Sequence, residues 1–297
     1  MVEVREKFNI KNLTAFKIGG EVGRVYFPKN PDEFSELPNN TKVFGNLSNT
    51  LISSYGYDGN IVLTTNMEKV KISGNRLVAM SGVKGPKLAQ IAAENGLGGF
   101  EFMIGFPGSV GGEIAMNASA RGQCISDFLR SVTLFCPSKG IFKLNKDDME
   151  FGYRTSICHN CNFVVLEAEF ELEYKEKNPI YDKIKENLEF RKDHQPMLNL
   201  PNCGSVFKNP DNNSAGKLLD EVGVKGLKIG GAEVWRGHAN FIVNSEKNAT
   251  SKDVLELMAE MKMRVKNKFG IDLVPEIMYL GNKSKDEDKL CKILYQK

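Results

Sequence analysis

The chain has 297 residues, of which 41% are hydrophobic and 26% charged. That composition is ordinary for a globular protein and excludes a largely disordered chain. Lys and Arg number 40 against 37 Asp and Glu, a net charge of +3, too balanced for binding nucleic acid by bulk charge. The length corresponds to about two domains. It allows roughly 75% of the unfolded surface to be buried, so neither disulfides nor a structural metal are needed.

The opening Met1-Val2-Glu3-Val4-Arg5-Glu6-Lys7 mixes charges where a signal peptide would carry an apolar run. No segment reaches the ~18 apolar residues of a membrane span. A cytoplasmic protein with neither membrane nor nucleic-acid partner is expected. Residues 22–27, 61–63 and 77–80 read as strands between glycine and polar turns. A helix begins at Pro86, presents Leu88, Ile91 and Ala92 on one face and stops at Gly96. Strands follow at 141–144 and 163–174. In the second, Val165, Glu167, Glu169 and Glu171 alternate with Leu166, Ala168, Phe170 and Leu172.

The six cysteines are scattered and expected to be reduced thiols. Cys158-His159-Asn160-Cys161 has the spacing of half a zinc site, but no second pair exists, so it reads as a loop with no metal, with a redox dithiol as the other reading. Composition changes at Tyr174-Lys175-Glu176-Lys177-Asn178-Pro179, which reads as a boundary. A polar helix is expected over 180–193, ended by Pro196. Ser214 caps a helix carrying Leu218, Leu219 and Val222. Thr250 and Asp253 form a capping-box pattern ahead of Val254, Leu257, Met258, Met261 and Val265, and Gly270 ends that helix. Residues 282–297 read as a solvated polar tail leading into a short terminal helix.

The strongest local signal is Gly105-Phe106-Pro107-Gly108-Ser109-Val110-Gly111-Gly112. Glycines let a backbone approach a ligand closely. Successive N–H groups in such a turn, with a helix start behind them, form a nest that suits a diphosphate. A tight structural turn is the other reading. The run is not the dinucleotide fingerprint G-x-G-x-x-G, which argues against a nicotinamide-binding Rossmann domain. Gly45-Asn46-Leu47-Ser48-Asn49 is a second small-residue run, either a phosphate loop or a plain turn. Asn202-Cys203-Gly204-Ser205-Val206-Phe207-Lys208-Asn209-Pro210 gathers a hydroxyl, an ammonium and an amide. Ser205 lies outside a nucleophile elbow, so it does not read as an acyl-transfer nucleophile; the segment is either a polar surface loop or one whose hydroxyl donates a proton, with Lys208 and Asn209 suited to a phosphate or carboxylate. Arg154, after Gly152-Tyr153, is either a surface arginine, as most lone arginines are, or a planar fork for a carboxylate. His238 opens an apolar run, where an isolated histidine is more often structural. Glu276 is an acid in an apolar stretch, either buried with a raised pKa or facing water from an edge strand.

In this order, these segments resemble the UDP-N-acetylenolpyruvoylglucosamine reductase (MurB) family over about residues 12–281. The matching segments are Thr14-Ala15-Phe16-Lys17-Ile18-Gly19-Gly20, Gly105 to Asn117, Gly152-Tyr153-Arg154-Thr155-Ser156, Gln195-Pro196, Gly204 to Pro210, Ala215-Gly216, His238 to Asn244, and Pro275-Glu276. Each alone is weak, and the ordered set is specific.

The resemblance implies an α+β fold. A two-subdomain FAD-binding module of the vanillyl-alcohol-oxidase type (1–66 and 67–177) would be followed by an α/β substrate domain (178–281). It implies bound FAD, with NADPH as hydride donor and a UDP-sugar enolpyruvate as acceptor. Hydride passes from the flavin N5 to the enolpyruvyl terminal carbon, a proton is added beside the carboxylate, and UDP-N-acetylmuramate results. By resemblance, Ser205 is the proton donor, and Arg154 and Glu276 support the substrate carboxylate and the developing charge. FAD falls to Gly45, Asn46, Leu47, Ser48, Asn49, Gly105, Pro107, Gly108, Ser109, Gly111, Gly112 and Asn117. Tyr153, Lys208, Asn209 and His238 face substrate. A monomer is expected.

Some positions depart from the family. Asn46-Leu47 stands where two glycines are usual. Ala118-Ser119-Ala120-Arg121-Gly122 replaces Ala-Gly-Ala-Tyr-Gly, so that Arg121 either adds charge near a phosphate or points into solvent. Trp235 and Arg236 stand where small or acidic residues are common before His238. No loop carrying a substrate-capping Tyr is evident, as in the shorter subtype of the family. Two rival readings exist. An FAD-linked oxidase of the same superfamily would share the glycine loops but lack the Gly204 to Pro210 segment. A non-catalytic flavin protein would bind FAD without turnover.

Overall fold

The computed structural model describes residues 1–296, which divide into two units. Unit 1 comprises Met1–Arg5, Val25–Asn46 and Asn60–Arg191; unit 2 comprises Glu6–Arg24, Leu47–Gly59 and the chain from Lys192. Strands Glu3–Asn9, Glu21–Phe27 and Tyr57–Leu63 each begin in one unit and end in the other. This division differs from boundaries at 66, 177 and 281, because two N-terminal segments fold with the C-terminal half.

Unit 1 is built on a five-stranded antiparallel sheet in the order Gly140–Asn145, Leu129–Cys136, Val164–Glu171, Arg76–Met80, Val70–Ser73. Thr41–Phe44 pairs in parallel with Asn60 to Leu63. The expected alternation holds in Val164–Glu171, where Leu166, Ala168 and Phe170 are buried. A register shift between Thr133 and Leu134 leaves an extra residue opposite them and turns Val165 inward as well.

Helix α1 (Gly85–Glu94) starts with a Pro in its first turn and buries Leu88, Ala89, Ala92 and Ala93. Helix α2 (Val110–Ala115) and the sheet share one core, in which Phe100 meets Phe170 edge-on at 5.0 Å. Residues 157–161 form a short helix, α3 (Ile157–Cys161), where a loop was expected, and its Cys158 joins that core. Burying one apolar side chain instead of ending in solvent is the physical reason for the turn. Helix α4 (Lys177–His194) packs within unit 1. Asn187 Nδ2 donates to the Glu101 carbonyl at 2.9 Å, and Arg191 Nε to that of Gly105 at 2.9 Å. The polar stretch at 174–179 lies inside unit 1: Tyr174 ends the short strand Glu173–Tyr174, residues 175–176 link it to α4, and residues 177–179 open that helix.

Unit 2 has a three-stranded antiparallel sheet, Lys228–Ile229, Ala232–Val234 and Ile242–Val243, and a parallel pair of Met278–Leu280 with Thr50–Ile52. Helix α5 (Ala215–Glu221) is capped by Ser214, whose Oγ accepts from Lys217 N. Helix α6 (Ser251–Phe269) has the expected capping box of Thr250 and Asp253, and Gly270 closes it at φ +70°. Its Val254, Leu257, Met258, Met261 and Val265 enter a core with Phe16, Leu51, Val206, Phe207 and Ile242.

The end of the chain is more than a polar tail. Helix α7 (Lys285–Tyr295) is capped by Ser284 and Glu287 and buries Cys291 and Leu294 in the same core. No helix among the described residues is long and apolar enough to cross a membrane.

Candidate active site

The first group of candidate residues lies in unit 1. The glycine-rich run 105–112 is laid along the end of strand Arg76–Met80. Gly111 N donates to the Ser81 carbonyl and Val110 N to that of Val83. The Gly45 loop touches this run closely. A Cβ at Gly45 would lie 2.2 Å from Ser109 Oγ, so only glycine fits. Asn46 Nδ2 donates to the Pro107 carbonyl at 2.9 Å. The chain passes from unit 1 to unit 2 between Asn46 and Leu47.

Leu47, where two glycines were expected to be replaced, takes the left-handed backbone conformation at φ +50°. Its side chain is 3% exposed. Burial holds a non-glycine residue in a conformation that costs on the order of 1 kcal/mol. The altered loop thus keeps a backbone shape that glycine would adopt freely.

The loop carries polar atoms that the protein itself leaves unsatisfied. Ser109 Oγ and Asn117 Oδ1 are buried without a hydrogen-bond partner. A Cβ at Gly112 would meet nothing within 4 Å. A hydroxyl donor, an amide acceptor and an open glycine backbone fit a flavin dinucleotide, whose phosphates accept and whose hydroxyls and ring N–H donate. Gly45, Asn46, Gly105, Pro107, Gly108, Ser109, Gly111, Gly112 and Asn117 are the residues of this unit that would hold it.

Glu113 was not expected here. Its carboxyl is 5% exposed, with neither oxygen hydrogen-bonded. Cβ atoms at Gly85 and Gly108 would lie 2.5 and 3.1 Å from Oε1, so the group sits behind the loop between two glycines. Burial pushes its pKa up to about 8. An acid in the first turn of a helix reads from sequence as a favourable surface charge, which is why the pattern did not reveal it. Arg121 does not simply point into solvent. It pairs with Glu186 at 2.6 Å and lies over the Phe190 ring at 4.3 Å, both on α4.

Arg154 sits in a tight turn in which Gly152 and Thr155 exchange backbone hydrogen bonds, and its own φ is +56°. Three bonds tie this turn to the segment leaving α2. Asn117 Nδ2 donates to the Gly152 carbonyl at 3.1 Å, Arg154 Nη1 to Ser119 Oγ at 2.8 Å, and Ser156 Oγ to the Ala115 carbonyl at 2.9 Å. The guanidinium lies over the Tyr153 ring at 5.3 Å.

The second group lies in unit 2, where Ser205 and Glu276 occupy neighbouring segments. Ser205 bridges to Phe241, and Phe207 to Pro275. Glu276 N donates to the Val206 carbonyl at 2.8 Å, and Lys208 N to that of Val274 at 2.9 Å. Asn49 Nδ2 donates to the Glu276 carbonyl at 2.9 Å, so the Glu276 backbone is held from two sides. Asn240 orders the serine segment. It gives Nδ2 to the Phe207 carbonyl and takes the Phe207 N–H on Oδ1, at 2.9 and 3.0 Å. Its role is visible only once strand pairing is known.

His238 accepts the Asn240 amide on Nδ1 and packs edge-on against Phe241. Burial lowers its pKa. Asn209 Oδ1 accepts from Ala215 N and caps α5. Leu47, Ser48 and Asn49 belong to this unit, as do Lys208 and Asn209, while Tyr153 and Arg154 belong to unit 1.

Comparison with known proteins agrees with these features. Residues 32–145 match the FAD binding domain model, and residues 195–280 match that of the UDP-N-acetylenolpyruvoylglucosamine reductase C-terminal domain. The UDP-N-acetylenolpyruvoylglucosamine reductase of Caldicellulosiruptor saccharolyticus is 40% identical over 92% of this chain and 90% of its own. That of Clostridium tetani is 38% identical over 95% and 92%. The crystal structure of MurB from Thermus caldophilus superposes with a TM-score of 0.81 at 31% identity, covering 94% of this chain and 98% of that one. The fold is therefore α+β, an FAD-binding module followed by a reductase-type C-terminal domain, and the chain belongs to the UDP-N-acetylenolpyruvoylglucosamine reductase family.

Proposed function

We propose that Arg154, Ser205 and Glu276 carry this family's reaction in the present chain. The protein is a flavin-dependent oxidoreductase that reduces UDP-N-acetylglucosamine enolpyruvate to UDP-N-acetylmuramate, with FAD bound and NADPH as reductant. FAD, held by the residues of the two glycine-rich loops, would supply the hydride-transfer chemistry between NADPH and the enolpyruvyl double bond. The remaining work falls to the chain itself. Arg154 binds the substrate carboxylate through its planar fork. Glu276 supports the negative charge that develops beside that carboxylate. Ser205 Oγ gives its proton to the carbon bearing the carboxylate and completes addition across the double bond. Tyr153, Lys208 and Asn209 bind other substrate groups, and His238 acts by holding the turn that carries Asn240. Gly45 to Asn49, the 105–112 run and Asn117 hold FAD.

The observation that carries this reading is the pairing of Glu276 N with the Val206 carbonyl, which keeps the hydroxyl and the acid on adjacent segments. The small net charge supports small-molecule substrates over nucleic acid as the partners, and a cytoplasmic monomer is part of the same proposal. The test is Ser205→Ala, followed by flavin absorbance. NADPH should still bleach the flavin, while reoxidation by the enolpyruvyl substrate slows about 10²–10³-fold. Reoxidation at the wild-type rate would remove Ser205 from the chemistry.

A further inference from the structure

We propose that Ser119 is a positioning residue for the substrate-binding arginine, setting where the Arg154 guanidinium meets the enolpyruvyl carboxylate. The inference rests on the assignment of Arg154 above. An arginine side chain has several rotatable bonds, and freezing it costs affinity unless the protein does so beforehand. Unit 1 shows how this is done. The Arg154 backbone is held at φ +56° in a turn whose ends are anchored by Asn117 Nδ2 and Ser156 Oγ. The Tyr153 ring lies against one face of the guanidinium at 5.3 Å. Ser119 Oγ takes the N–H of Nη1 at 2.8 Å, a charge-assisted bond that fixes the edge of the plane. A guanidinium has five N–H donors. Ser119 engages one of them, at Nη1.

Ser119 itself is held firmly. It lies in the two-residue strand Ser119–Ala120, paired with Gln123–Cys124, two residues beyond Asn117. The same short segment thus carries a cofactor candidate, Asn117, and the anchor of a substrate candidate, Arg154. Nothing in the motif pattern required a hydroxyl here.

The test uses the FAD-loaded enzyme and four variants, Ser119→Ala, Ser119→Thr, Arg154→Ala and the Ser119→Ala, Arg154→Ala double. Two quantities are read. One is Kd of the enolpyruvyl sugar nucleotide for the oxidised enzyme, from the perturbation of flavin absorbance. The other is KM against kcat at saturating NADPH. Ser119→Ala should raise Kd and KM about tenfold, with a smaller change in kcat. Ser119→Thr keeps the hydroxyl and should return both to within about threefold of wild type. In the Arg154→Ala background, Ser119→Ala should have no further effect, because the residue acts through the arginine.

Wild-type Kd and KM in Ser119→Ala, beside an impaired Arg154→Ala, would overturn the role of Ser119 alone. So would an equal loss from Ser119→Ala in both backgrounds, which marks general damage to the fold. Wild-type behaviour of Arg154→Ala would overturn the assignment of the arginine and the Ser119 role with it.

Discussion

Replacing Glu113 by Gln should make the protein more stable, and increasingly so as pH rises. The carboxyl is buried between Gly85 and Gly108 with no hydrogen bond to either oxygen. Its pKa is raised from 4.5 to about 8 by burial, with no neighbouring charge contributing. In the unfolded chain the group ionises above pH 4.5, whereas in the folded protein it stays neutral until about pH 8. The folded state therefore has its full stability below pH 4.5 and loses part of it as pH climbs through this window. At 1.36 kcal/mol per pH unit, the loss is on the order of 3 kcal/mol at pH 7 and levels off near 5 kcal/mol above pH 8. Gln has the shape of the neutral acid and does not titrate. Urea unfolding followed by far-UV circular dichroism, with FAD in fixed excess, measures the difference between variant and wild type. That difference should be close to constant below pH 5 and should grow by about 3–5 kcal/mol towards pH 9. All other groups titrate alike in both proteins and cancel. Stability curves that run parallel from pH 5 to pH 9 would show that Glu113 ionises normally, through water or through a partner reached by local opening.

Two further substitutions test the loop and the chain terminus. Gly45→Ala places a Cβ 2.2 Å from Ser109 Oγ and should weaken FAD binding at least about tenfold by flavin fluorescence titration. Adding Ser109→Ala should recover part of that loss, and unchanged affinity in Gly45→Ala would contradict the close approach. Leu294→Ala, in helix α7, removes a side chain that is 2% exposed and should cost about 2–5 kcal/mol of stability, seen as a fall in Tm. An unaltered Tm would return this segment to the status of a tail.

What could be read from the sequence follows the range of the interactions involved. The ends of α6 depend on neighbours in the chain. Thr250 and Asp253 satisfy the first amides and Gly270 supplies the left-handed turn, so that helix was readable from one end to the other. The glycine run at 105–112 was readable for the same reason, since close backbone approach requires the missing Cβ locally. Unit membership was not, because Met278–Leu280 finds its partner in Thr50–Ile52, and Asn244 Nδ2 reaches back to the Phe16 carbonyl. Nothing near residue 50 announces a partner more than two hundred residues away.

The same distinction separates the site residues. Ser205, Arg154 and Glu276 are proposed because an ordered set of motifs marks them. Asn240, Glu113 and Ser119 were missed because each acts through a contact made only in the folded chain. Asn240 satisfies both backbone groups of a residue 33 positions earlier, and Ser119 meets an arginine 35 positions later. Glu113 illustrates the point most sharply, since its residue type argues for solvent and only the packing of Gly85 and Gly108 against it keeps it dry. A motif names the groups that touch the ligand. The groups that hold them in place are fixed by packing, and their identity can change as long as the geometry they impose is kept.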